Sequence, residues 1–254
     1  MNLENRKFHK YFTLSFDDGV TQDLRLIGIL KKFGMPCTFN LNTGLLGANW
    51  TWVADMVGKP GLSHLRFTEE QIRTGIYNGF DVEVHTLNHP SLAGNYGDNA
   101  NAIIAEVGDD AKNITALTGI EPVGMAYPGG RECDTSPFVI KTIVENTPVR
   151  FARLAVSQEH PEEFALPEQF MKWYPSAAVF DMEKCRALAS EFIAAEPKDR
   201  DMLFYVWGHA YDLDCKDIWE DFEELVRLMA EDPGIICVSN AEFYGLFKDR
   251  IPSA

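Results

Sequence analysis

Seven short apolar runs alternate with seven stretches of helical periodicity along this chain, and that alternation admits few folds. The strands predicted are Tyr11 to Phe16, Met35 to Leu41, Phe80 to Val84, Pro122 to Tyr127, Val149 to Val156, Met202 to Trp207 and Gly234 to Val238. Helices are predicted over 21–33, 68–79, 99–117, 136–145, 181–196, 217–230 and 241–248. Strands that alternate with helices run parallel, since each crossover must return to the same edge. The Met202–Trp207 run is almost continuously apolar, as a strand buried on both faces should be. No run leaves an obvious exposed sheet face, and closure into a barrel removes both edges. The expectation is an α/β fold, a distorted TIM-barrel-like (β/α) barrel of about seven parallel strands, with residues 1–254 forming one catalytic domain.

Local signals support these boundaries. Gly34 and Pro36 close the first helix, and Thr68-Glu69-Glu70-Gln71 is a capping box. Ser136 is a good N-cap with Pro137 at N1, and Asp181 caps the helix that follows it. Two long connections remain, 42–67 with Trp50, Trp52 and His64, and 157–180 with Trp173 and Tyr174. Connections of this length serve as lids or binding loops, or pack their tryptophans over the core; both readings stay open.

The length suffices to bury a full core, and 46% hydrophobic with 24% charged residues is ordinary for a globular protein. Acidic residues number 38 against 23 basic, a formal charge of -15. Such a surface repels nucleic acid and anionic lipid, so neither is an expected partner. No stretch reaches the length of a membrane span. Met1 to Lys10 is polar, without an apolar core or cleavage site. Cys37, Cys133, Cys185, Cys215 and Cys237 are widely spaced and read as reduced thiols. Together these features predict a cytoplasmic protein and leave the oligomeric state open.

In a parallel barrel the C-terminal ends of the strands meet at one mouth, where catalytic groups gather. Asp17-Asp18, His85, Pro128-Gly129 and His209 all stand directly after a strand. Adjacent carboxylates repel unless a cation or proton relieves them, which suggests one Asp on a metal and its neighbour free as a base. The alternative is an ordinary Asp-Gly turn. His85 and His89 are four residues apart, and two imidazoles with a carboxylate make a zinc-type triad. Three protein ligands leave room for a water or a polarised substrate oxygen. His209, on a Gly-hinged turn, suits a general acid, or alternatively sits hydrogen-bonded in the core wall. His9, His64 and His160 are read as chemically idle.

The segments Ser15-Phe16-Asp17-Asp18-Gly19, His85-Thr86-Leu87-Asn88-His89-Pro90, Ala126-Tyr127-Pro128-Gly129-Gly130 and Trp207-Gly208-His209 resemble successive motifs of the polysaccharide deacetylase family, the NodB-homology carbohydrate esterases. The resemblance spans nearly the whole chain. It implies a distorted barrel of seven or eight β/α units and metal-dependent hydrolysis of N- or O-acetyl groups on sugars. Carried over, Asp17 would be the general base, Asp18, His85 and His89 the metal ligands, and His209 the acid. The Gly129 amide would help hold the oxyanion. The cofactor implied is a divalent metal, zinc before cobalt, nickel or manganese. The partner implied is an acetylated sugar or oligosaccharide, with Tyr127, Trp207 and Trp173 as candidate substrate contacts.

The chain departs from the family pattern in three places. Ala126 stands where the third motif commonly has an Arg that pairs with the base; Arg153 or Arg131 could supply that charge, and without one Asp17 rests on the metal and its neighbours. Val20 replaces the usual Pro after Gly19, and no fourth motif with its Asp is clear. Two other readings therefore stand beside the deacetylase. One is a hydrolase of another non-peptide, even cyclic, amide; the other is a catalytically silent carbohydrate-binding module.

Overall fold

A computed structural model describes the protein over residues 7–131 and 135–254; Cys133 lies outside the described residues. The elements, in order, are β1 Lys10–Asp17, α1 Asp23–Phe33, β2 Thr38–Leu41, α2 Trp52–Met56, α3 Glu69–Arg73, β3 Asp81–Val84, α4 Leu92–Tyr96, α5 Ala100–Ile104, α6 Asp110–Thr118, β4 Gly124–Ala126, α7 Pro137–Asn146, β5 Phe151–Arg153, β6 Ala177–Ala178, α8 Met182–Ala194, β7 Met202–Gly208, α9 Ala210–Lys216, α10 Trp219–Glu231, β8 Ile235–Cys237 and α11 Asn240–Phe247.

The strands form one curled sheet of order β5-β4-β3-β2-β1-β7-β6, and every strand pair in it is parallel. All eight residues of β1 are buried, consistent with helices covering the outer face and side chains filling the inner one. β7 pairs along β1 from Lys10 to Phe16. The other edge of β1 is shared: β2 takes Ser15–Asp17 and β8 takes Lys10–Phe12. β1 is therefore the axis of the distortion.

The expected distorted barrel of about seven parallel strands is what the chain forms; the count reaches eight because the two-residue β6 lies inside the predicted loop 157–180. Its hydrogen-bonded ring is not closed by a full ladder. Trp173 makes a single parallel bridge to Arg153 on β5, and Ala177–Ala178 pair with β7. Pro175 stands between them and has no N–H to donate, so the connecting segment cannot run as one strand.

The helices follow their local signals. Thr68 and Gln71 make the reciprocal capping box at α3, and Ser136 caps α7 with Pro at N1. The predicted helix 99–117 is interrupted: residues 105–109 form a π turn between α5 and α6. The extra residue in that turn swings Glu106 and Asp110 toward the strand ends, as single π turns often do near functional sites. The helix predicted from 217 is preceded by a separate one, α9, which ends at Asp217 in left-handed backbone (φ 54).

Candidate active site

The site begins at the last residue of β1. Asp17 ends the strand, then Asp18 (φ 79) and Gly19 (φ 63) both take left-handed backbone, which turns the chain sharply. A Cβ on Gly19 would also stand 2.8 Å from Leu41 Cδ2, so both space and conformation require glycine. Thr86 (φ 65) and His89 (φ 57) share this uncommon conformation. For a β-branched threonine it is a real outlier, and such outliers persist only where surrounding bonds over-determine them.

Those bonds are present. Glu106, from the π turn, accepts from the Asn88 amide at 2.9 Å, from Asn88 Nδ2 at 3.0 Å and from the Tyr96 hydroxyl at 2.9 Å. Asp110 accepts from the His85 amide at 3.2 Å and from the Thr43 hydroxyl at 2.6 Å. Burial pushes the Asp110 carboxyl up to about 7, and the bonds from Thr43 and His85 oppose that rise. His85 Nδ1 lies 2.8 Å from the Ala126 carbonyl. A carbonyl only accepts, so Nδ1 carries the proton and Nε2 is left as a lone-pair donor.

Nε2 of His85 and of His89 lie 4.0 and 3.9 Å from Asp18 Oδ1. The three candidate ligand atoms fall within 4.8 Å of one another, so Asp18, His85 and His89 could hold one cation. Two imidazoles and a carboxylate suit zinc and its first-row neighbours. Burial lowers the His85 imidazole, and burial together with His85 holds His89 down to about 4. Both rings are therefore neutral at pH 7, the protonation a metal ligand needs.

Asp17 is held separately. Asn40 Nδ2 donates to its Oδ1 at 2.8 Å, and Arg153 Nη2 donates to its Oδ2. Burial opposes its charge, but Arg153, His85 and His209 outweigh that and keep the carboxyl below its usual range. Arg153 is the register neighbour of Ala126, on β5 beside β4. The positive charge absent at 126 thus comes from one strand over; Arg131 is exposed. The Arg153 guanidinium also lies over the Trp207 ring, 4.2 Å from its centroid.

His209 follows β7. Its Nδ1 and its backbone N–H both lie 3.0 Å from Asp212 Oδ2. Burial alone would lower this imidazole; Asp212, then Asp18 and Asp17, override it and hold it up at about 9. With Nδ1–H engaged by Asp212, Nε2 is the atom available to pass a proton.

These groups line one cavity of about 240 Å³. Asp17, Asp18, His85, His89, Tyr127, Gly129, Trp207 and His209 all border it. Gly129 takes left-handed backbone (φ 72). The Tyr127 hydroxyl donates to the Met171 carbonyl at 3.2 Å, so that group is already engaged within the chain. Trp50, Trp52 and Met56, from the 42–67 connection, form one wall.

Two expectations fail. Trp173 has 0% exposure and packs against Phe151, Phe170, Tyr205 and Phe243, so it cannot touch a substrate. His64 is not idle: its Nε2 lies 3.0 Å from Asp18 Oδ2, beside Arg66, which donates to Asp18 Oδ1 at 2.9 Å. Arg66 and Asp212 escaped sequence reading altogether. Asp212 carried a local signal, three residues after His209 at the start of a helix, whereas Arg66 carried none.

A sequence profile described as polysaccharide deacetylase matches residues 4–151. Similar folds include a Mycobacterium smegmatis protein assigned to the polysaccharide deacetylases, with TM-score 0.61, 12% identity, and 97% of this chain and 92% of that one covered. A family 4 acetyl xylan esterase from Clostridium thermocellum, in complex with a cobalt ion, has TM-score 0.54 and 14% identity over 96% and 93% of the two chains. A family 4 carbohydrate esterase from Streptomyces lividans, in complex with acetate, has TM-score 0.53 and 13% identity over 90% and 91%. At such identities the likeness speaks of fold alone. The sequence itself matches no curated protein.

Proposed function

Because this chain belongs to the polysaccharide deacetylase family, we propose that it is a metal-dependent hydrolase, one catalytic domain over 1–254, that removes an N- or O-linked acetyl group from a sugar or oligosaccharide. The observation that carries this reading is the pairing of a metal-ready triad, Asp18, His85 and His89, with a separately held carboxylate, Asp17, whose Oδ2 lies 3.8 Å from His85 Nε2. A divalent cation bound by that triad, zinc first among the candidates, supplies Lewis acidity toward an acyl oxygen and lowers the pKa of water.

The chain's own groups divide the remaining work. Asp17, ionised at neutral pH and fixed by Asn40 and Arg153, takes a proton from the attacking water. The Gly129 amide, at a left-handed turn on the cavity wall, offers a backbone donor to the developing oxyanion. His209, protonated because Asp212 holds it up, donates from Nε2 to the leaving amine or alkoxide. One group must be ionised and the other protonated, so the rate follows a bell-shaped pH profile. Trp50, Tyr127 and Trp207 present aromatic surface to the bound sugar. Free thiols at Cys37, Cys185, Cys215 and Cys237 support a reducing compartment such as the cytoplasm. No helix among the described residues is long and apolar enough to cross a membrane.

The modest cavity also favours a second substrate class, a small non-peptide amide other than acetyl. The test is acetate release from acetylated mono- and oligosaccharides, with and without a chelator, in the native chain and in His85→Ala. Release that depends on the metal and is lost in His85→Ala is expected. Release that persists after complete metal removal ends the mechanism, and turnover of only a cyclic amide moves the chain to the second class.

A further inference from the structure

Behind the candidate metal carboxylate lies a closed triangle of side chains. Arg66 Nη2 donates to Asp18 Oδ1 at 2.9 Å, and Arg66 Nη1 lies 3.4 Å from His64 Nδ1. His64 Nε2 completes the figure at 3.0 Å from Asp18 Oδ2. A guanidinium has donors only, so His64 Nδ1 must accept, and its proton sits on Nε2 and is given to Asp18. The three side chains are 0%, 1% and 4% exposed for Arg66, His64 and Asp18. Trp50 covers both partners, its ring centroid 4.0 Å from the guanidinium carbon and its plane stacked nearly parallel to His64 at 14°.

The backbone holds this triangle in place. Phe67 N–H donates to the Gly19 carbonyl at 3.0 Å, Thr21 N–H donates to the Leu65 carbonyl at 2.8 Å, and Val20 and Arg66 form an antiparallel bridge. The segment carrying His64 and Arg66 is thus stitched along the turn that carries Asp18. Asp18 Oδ1, the oxygen that Arg66 engages, is also the one nearest His85 and His89.

We infer that His64 and Arg66 are positioning residues for Asp18, His64 by orienting it and Arg66 by also offsetting its charge, so that a cation held there binds less tightly and keeps more of its electrophilic character. The inference rests on the metal reading of the triad. Two neutral imidazoles and a carboxylate carry one negative charge; the adjacent guanidinium brings the cluster to zero. Partners behind a ligand tune both affinity and Lewis acidity in this way.

The test measures zinc affinity of the chain over residues 1–254 by competition with a chelating indicator, with no substrate present. Arg66→Met should bind zinc tighter, on the order of tenfold, because a buried positive charge has gone. Arg66→Lys keeps the charge and should stay within about threefold of the native chain. His64→Phe removes a restraint without changing charge and should bind more weakly, by about tenfold. In the zinc-loaded proteins kcat should fall for Arg66→Met even as affinity rises, a divergence that simple loss of structure does not produce. Unchanged or weaker zinc binding in Arg66→Met overturns the charge role, and unchanged binding in His64→Phe overturns the orienting role. Should Arg66→Met not fold, Arg66→Gln makes the same charge change with a side chain that still donates, and is read the same way. Zinc binding with the expected shifts but no acetate release sinks the deacetylase reading alone, while a native chain that binds no zinc sinks both.

Discussion

Arg153, at the end of β5, donates through Nη2 to Oδ2 of Asp17, at the end of β1, although four steps of the sheet order separate the two strands. Only a curled sheet lets those ends meet. Both side chains are buried, so removing the cation leaves a carboxylate without compensation in a dry place. Arg153→Met should therefore destabilise the fold by about 3–5 kcal/mol, read by denaturant unfolding. It should also raise the Asp17 pKa, since the strongest attraction lowering it disappears. The acidic limb of kcat/KM then moves to higher pH, and part of the lost rate returns on raising the pH. The stability contribution of Asp17 has the same sign. It is present above the unfolded-state pKa and is lost as pH falls through the lower folded value. An acidic limb unmoved in Arg153→Met would separate this ion pair from the base.

His209 offers a titration that needs no substrate. Held up at about 9 with Asp212 as its partner, it should show that value by NMR in the metal-free chain and move toward neutrality in Asp212→Asn. Its folded pKa lies above the unfolded one, so the stability it brings is complete below about 6.5 and is lost as pH rises through about 9. A native value near that of free histidine would remove it as a protonated acid at neutral pH.

Two tryptophans of similar promise in the sequence should separate cleanly by experiment. Trp173→Ala should cost about 3–5 kcal/mol of stability while leaving the KM of the folded fraction unchanged, because the ring lies wholly in the core. Trp52 is 52% exposed on the cavity wall. Trp52→Ala should shift stability by no more than about 0.5 kcal/mol and raise KM several-fold. A KM that ignores Trp52 would show that substrate does not lean on that wall.

Lys59 ties this wall to the end of α9. Its ammonium donates to the carbonyls of Asp214 and Cys215, at the C-terminal end of α9, and meets Asp217 at 3.0 Å. A cation suits that end of a helix. Lys59→Ala should accelerate amide exchange across α2 and the residues up to 62, with a global stability change of about 1 kcal/mol or less. Exchange indistinguishable from the native chain would mean the wall holds itself.

The strand ends that line the candidate site were legible because their signals are local. Strand, abrupt Asp-Asp-Gly turn and His-x3-His each occupy fewer than about ten residues, where backbone chemistry dictates the outcome. Strand β6 was not legible: Ala177–Ala178 is two residues of weak β propensity, and only pairing with β7 makes it a strand. The π turn at 105–109 was hidden because its sequence is compatible with an ordinary helix. Asn88 and Tyr96 meeting Glu106 is the tertiary fact that accompanies it.

By itself the order of residues determined the parallel α/β architecture, the caps and the arrival of Asp17, Asp18, His85 and His209 at strand ends. Periodicity and turn chemistry act over a few residues and are written into them. Which charges face those carboxylates was decided only by the folded chain. Arg153 is 136 residues from Asp17, and Arg66 is 48 from Asp18. No short-range rule reaches that far; the curl of the sheet and the course of the 42–67 connection bring them together, in a low-dielectric interior where each contact counts most.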